Sequence, residues 1–244
     1  MSNKHFALAV ASILVVTAPG VAQDAVKRAP LTAAEQRAVD NCLEIIRGCQ
    51  LADGAFNMVN DGIAPVSPVW IAPYFVNHSM LALLAASNSK MSAADVTRVG
   101  KWLEWSVVHQ HVGGFWHDFT GTIAAYKSND KVDAHDSSAA LFLMVAERYQ
   151  RRGGKISGNV SAAAKSALKC IQHVTDTDGL TWAKPNYKVK FLMDNVEVYG
   201  GLIAGRKLFI ATGDAAEAKA ADKQAAAVGK GLRTRARFTC RKWH

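Results

Sequence analysis

The sequence predicts an all-α fold of repeated helical hairpins, on three observations. Helical periodicity recurs from residue 32 to about 230, while strand signals are weak and confined to loops. The helical segments alternate with loops rich in Gly, Asp and aromatic residues. A turn signature also returns between hairpins: Asp53-Gly54-Ala55-Phe56, Gly113-Gly114-Phe115-Trp116 and Asp178-Gly179-Leu180-Thr181-Trp182. Its glycine falls at 54, 114 and 179, spacings of 60 and 65 residues. A period carrying two helices per unit implies stacked hairpins, each burying its apolar face on the next. Glycine turns also end helices routinely. Three copies, each with a helix before and after, favour the repeat.

The elements follow in order. Thr32 is a good N-cap, and Glu35 completes a capping box. Val39, Leu43 and Ile46 continue at helical spacing, with an end near Gln50. A loop holding Asp53-Gly54, Pro65, Pro68 and Pro73 leads to an apolar helix from Tyr74 to Ala86. Ser92 caps a third helix reaching about His111, followed by Gly113-Gly114. Further helices are predicted over Ser137–Arg152, Ser161–Val174, Met193–Ala211 and Asp214–Val228.

Residues 1–22 read as a signal peptide. Lys4 and His5 precede an apolar run from Phe6 to Val16, and Gly20 and Ala22 suit a cut after Ala22. The run is shorter than the ~20 residues that span a bilayer. Export to a periplasmic or extracellular space is therefore expected. No later segment offers a stable membrane span.

The chain has 244 residues and a net charge of +9, and six Lys and Arg within 230–244 leave only +3 elsewhere. The basic character belongs to a tail, residues 231–244, whose composition breaks from the Ala-rich helix before it. Such a tail either binds an anionic surface or is a non-native end, and the second reading is favoured. No nucleic-acid motif accompanies it, so no nucleic-acid partner is expected. Cys42 and Cys49 lie about 10 Å apart along a helix, too far for a disulfide. No Cys-x-x-Cys or Cys/His cluster indicates a metal, and no Gly-rich phosphate loop indicates a cofactor.

Four segments resemble the six-hairpin glycosidase-like superfamily: Gln50-Leu-Ala-Asp53-Gly54-Ala55, Pro73-Tyr74-Phe75-Val76-Asn77, Asp133-Ala-His-Asp136-Ser137-Ser138-Ala139 and Leu192-Met-Asp194-Asn195-Val-Glu197-Val-Tyr199. The resemblance spans residues 32–230. It implies an (α/α) toroid, or part of one, with a saccharide substrate or ligand. A full toroid of that superfamily has six hairpins, and this chain has room for three with a seventh helix started. It is either a compact relative or about half a ring.

Glycoside hydrolysis needs two carboxyl groups, one protonated and one ionised. The catalytic candidates are Asp136, Asp194 and Glu197, each at a predicted helix start. Asp194 and Glu197, at i and i+3, share a helix face. A helix N-terminus favours the ionised form, which suits a base or nucleophile. First-turn acids are also ordinary capping residues, so that role stands beside the catalytic one. Asp53 and Asp178 read as turn residues. Substrate-binding candidates are Trp70, Tyr74, Trp116, His117, Trp182, Lys190, Asn195 and Tyr199. Flat aromatic faces pack on pyranose C–H groups. The same rings could instead plug the ends of the helical layer. Trp102 and Trp105 lie inside a helix and read as core, and His117-Asp118 is a candidate orienting pair. The expected function is an exported glycoside-hydrolase-like protein. The alternative is a non-catalytic toroid relative that binds saccharide or a protein.

Overall fold

The computed structural model describes residues 31–60, 64–86 and 92–240. The signal-peptide expectation lies outside the described residues. Among the described residues there are seven helices: α1 (Ala33–Gly48), α2 (Pro73–Ala86), α3 (Ala93–His109), α4 (His135–Arg151), α5 (Gly158–His173), α6 (Leu192–Thr212) and α7 (Ala215–Cys240). The capping box at α1 is complete, with Thr32 and Glu35 satisfying each other's backbone N–H. Ser92 and Ser157 cap α3 and α5 through their hydroxyls.

The helices form two layers. α2, α4 and α6 are the inner row, with α4 between its two neighbours. Every residue of α4 from Asp136 to Glu147 is buried, as a helix covered on all sides requires. α1, α3, α5 and α7 form the outer row. Arg47 of α1 grips Asp95 of α3 through two hydrogen bonds of 2.9 and 2.8 Å.

The repeat is physical. Leu51, His111 and Asp176 each donate their N–H to Ala55, Phe115 and Leu180 respectively, all at 2.8 Å. Gly54, Gly114 and Gly179 close the same turns with φ of +99°, +84° and +86°. L-residues with a Cβ rarely adopt that region. Each glycine also presses on the backbone of the next outer helix. A Cβ would stand 2.7 Å from the Lys101 carbonyl oxygen, 2.1 Å from that of Ser166 and 2.6 Å from that of Ala227. Gln50 and Gln110 bridge the same gaps, donating to the carbonyls of Arg98 and Ala163 at 3.0 Å. In the third copy Gln224 of α7 reaches back to Thr175 at 2.7 Å.

The loops hold a small antiparallel sheet that sequence periodicity did not resolve: β1 (Val69–Ile71), β2 (Phe119–Thr122) and β3 (Ala125–Ser128), in that order. Trp70 pairs with Thr120, joining two successive loops. Val69 and Ile71 face the core and Trp70 faces out, the alternation of a half-buried strand.

α7 departs from expectation. It continues to Cys240, well past Val228 and through most of the basic segment. Lys and Arg are good helix formers, so a change of charge need not end a helix. Among the described residues no helix is long and apolar enough to cross a membrane.

Candidate active site

The inner helices deliver their N-terminal turns to one rim. α2 supplies Tyr74 and His78, α4 supplies Asp136, and α6 supplies Asp194 and Glu197. Glu197 is buried, and its carboxylate accepts from the Tyr74 hydroxyl at 3.1 and 3.3 Å. His78 Nε2 lies 3.3 Å from the same carboxylate. Asp136 is fully buried. One of its oxygens accepts from the Ser137 N–H at 2.8 Å, the other from the Thr181 hydroxyl at 2.7 Å. Thr181 is in turn clamped by Asn195, which accepts its N–H at 2.8 Å and donates to its carbonyl at 3.2 Å.

Two more carboxyls stand at this rim: Asp133, exposed in the loop before α4, and half-buried Asp118 before β2. The Trp70 indole lies close enough to Asp118 to favour its ionised form. The acids raise one another. Burial, then the charges of Asp136, Glu197 and Asp133, push Asp194 up to about 7. Burial, against its hydrogen bonds, pushes Asp136 up to about 6. Burial likewise lifts Asp118 to about 6, and Asp133 is raised. The Tyr74 phenol is held protonated by burial and by Glu197.

This reverses the expectation that helix starts keep these acids ionised. The dipole is worth about 1 kcal/mol in the first turn. A shift of roughly three pH units is worth about 4 kcal/mol. Burial and neighbouring acids therefore win, and Asp194 carries a proton over much of the neutral range.

The site candidates fall into two groups. Trp70 is 40% exposed at the rim and packs edge-on to Phe75, itself exposed. Trp182 is half-buried, with the Lys188 ammonium 4.5 Å from its ring centre. These rings can meet a ligand. Trp116 cannot: it is buried against Phe142 and donates to the Ser106 carbonyl at 2.7 Å. Tyr74 spends its hydroxyl on Glu197, and Asn195 spends its amide on Thr181 and Phe191. Tyr199 turns toward α7, against Gly229. Lys190 pairs with Asp176 and Asp178 at 2.5 and 2.8 Å. His117 packs on His111 and Phe115 rather than orienting Asp118. Asp136 and Glu197 are both enclosed, which counts against that pair as the reacting carboxyls.

A cavity of about 650 Å³ opens between the loop before α4 and the 184–186 turn, lined by Asp130, Lys131, His135, Lys184 and Asn186 among others. His135 stacks on Phe115 with ring centres 3.7 Å apart. Burial and Lys184 depress it to about 4, so it is neutral at pH 7. Another cavity, of about 600 Å³, lies at the far end of the inner helices. Its Lys165 and Asp214 are paired with each other. Among the described residues no group of three or more His, Cys, Asp and Glu is arranged to hold a metal ion.

Thr181 and His78 do not stand out in the sequence as site residues, Asp118 does so only as a partner of His117, and Asp133 only within a segment of the family resemblance. Thr181 occupies the third-repeat position held by Phe56 and Trp116, so aligning the repeats would have exposed the one polar copy.

No protein-family model matches the chain, and no curated protein matches it. Solved structures do. A UGL variant with dGlcA-Glc-Rha-Glc matches with a TM-score of 0.62 at 12% identity, over 82% of this chain and 56% of that one. Unsaturated glucuronyl hydrolase from Bacillus sp. GL1, responsible for the degradation of glycosaminoglycan, matches with a TM-score of 0.54 at 11% identity, over 77% of this chain and 55% of that one. The chain thus spans little more than half the length of either, and over that length it shares their all-α, toroid-type fold.

Proposed function

We propose that this chain carries a glycoside-hydrolase-like site in which Asp194 donates a proton to a saccharide. The observation that carries the reading is the convergence of Asp194, Asp136 and Asp133 at one rim, with Asp194 protonated near neutrality. A glycosidic oxygen is a poor leaving group until protonated, and a buried carboxyl crowded by other acids is a suitable donor. Exposed Asp133 is the carboxylate best placed to meet water. Trp70 and Trp182 offer the apolar faces of a sugar platform. The matched proteins make an unsaturated uronyl oligosaccharide the first substrate to assay. Lys131 and Lys184 would suit its carboxylate. Export through residues 1–22 belongs to the same proposal.

Asp194→Asn tests it. The expected result is a loss of about 10²–10⁴ in kcat at unchanged far-UV circular dichroism. Full turnover in a folded Asp194→Asn protein would reject the role.

A second reading has its own support. Asp194 is only 6% exposed, and Asp136 and Glu197 are enclosed, so access to the acids is narrow. A non-catalytic saccharide-binding relative would show calorimetric binding with no turnover.

A further inference from the structure

Glu197 shares a helix face with Asp194, but its surroundings differ. Among the described residues Asp194 makes no hydrogen bond to another side chain, whereas Glu197 is held from α2. The Tyr74 hydroxyl reaches both of its oxygens, at 3.1 and 3.3 Å, and His78 Nε2 lies 3.3 Å from one of them. Tyr74 and His78 are i and i+4 on α2, so one helix face presents both groups. Their rings stack edge-on, 5.0 Å between centres, which fixes each against the other. Glu197 is 2% exposed. A carboxylate so enclosed is poorly placed to meet a glycosidic bond. It is well placed to act on its neighbour one turn away.

We propose that Glu197 is a positioning residue: pinned by Tyr74 and His78 across the α2–α6 interface, it sets a fixed negative charge beside Asp194 and keeps the proton on that carboxyl. The proposal rests on Asp194 being the proton donor. The other charges facing Asp194 are Asp136 of α4 and Asp133 of the preceding loop. Lys184 acts on Asp133 from the 182–190 loop. Glu197 is the member of this set that a neighbouring inner helix holds by hydrogen bonds. It therefore links the spacing of α2 and α6 to the state of the acid.

The test is the carboxyl ¹³C titration of Asp194, assigned by its disappearance in Asp194→Asn. Glu197→Gln keeps the shape and an acceptor for Tyr74 but removes the charge. The Asp194 midpoint should fall by about 1 pH unit or more. Tyr74→Phe keeps the ring and removes the donor, leaving the Glu197 charge less compensated. There the midpoint should rise, opposite in sign. A residue that merely braced the fold would not give opposite shifts. An unmoved midpoint in either folded variant, or shifts of the same sign, overturns the proposal. Tyr74→Phe alone decides it if Glu197→Gln fails to fold. The readout needs no turnover. Opposite shifts in a protein without hydrolase activity would leave the coupling of Glu197 to Asp194 standing and reject the catalytic reading. Activity without the shifts would do the reverse. In an active enzyme, the limb of the pH–kcat profile set by Asp194 should move with the titration.

Discussion

Asp194 shows how environment overrides position. A first-turn Asp ordinarily stays ionised, yet this one is raised to about 7 by burial and three neighbouring acids. The folded state therefore binds more protons than the unfolded chain between about pH 4 and 7. Stability contributed by the protonated form is lost as pH rises through that window. Asp194→Asn removes the penalty. The variant should melt higher than the parent at pH 8, by an amount on the order of 2–4 kcal/mol, with little difference at pH 4. Thermal melts at the two pH values check this, and equal melting points at pH 8 would contradict it. The same substitution should lower kcat by the factor given above, so stability and activity move in opposite directions. At this scale the sequence singled out Asp136, Asp194 and Glu197 as candidates, because acids at helix starts are visible in one dimension. It did not reveal their division of labour. That depends on who donates to each oxygen, and Thr181 reaches Asp136 from 45 residues away.

The repeating turn is the feature with the clearest mutational signature at the scale of elements. Gly114→Ala would place a Cβ 2.1 Å from a backbone carbonyl of α5, against 2.7 Å for Gly54→Ala on α3. Neither carbonyl can rotate away. The positive φ alone costs more than about 1 kcal/mol for a residue with a Cβ. Both variants should lose stability, Gly114→Ala more. A smaller loss at Gly114 in denaturant titrations would contradict the order. Helix existence was legible from periodicity and caps, since Thr32 and Ser92 announce their starts. Boundaries were less so. α4 begins at His135, not Ser137, which draws Asp136 into its first turn. Strands β1 to β3 were hidden because each has at most four residues, too few for alternation to register.

Across the whole molecule, the tryptophans report on the rim. Trp102 and Trp116 are buried in the helical layers, and Trp105 nearly so, while Trp70 and Trp182 reach the surface. Saccharide binding should change the fluorescence of the latter pair, and Trp182→Ala should remove part of the signal while weakening binding. A full signal in a Trp70→Ala, Trp182→Ala double variant would place the ligand elsewhere. The stacked hairpins were legible in outline from the turn spacing, because a fixed period fixes how successive units stack, whereas the toroid came only with the family resemblance. Which rings face a ligand was not, since Trp116 and Trp182 sit in equally aromatic loops and only packing tells them apart.

The glycine turns also have a geometric consequence. Each lets an outer helix approach the preceding loop by the width of a missing methyl group. The inner row uses the same device, where Gly201 of α6 meets Ala140 of α4: a Cβ there would stand 2.6 Å from the Ala140 backbone. Those two helices carry Asp194 and Asp136 at their N-terminal turns. A carbon added at Gly201 would push them apart and part the two acids. The gauge of the rim is thus held by a single hydrogen atom where other residues carry a methyl group.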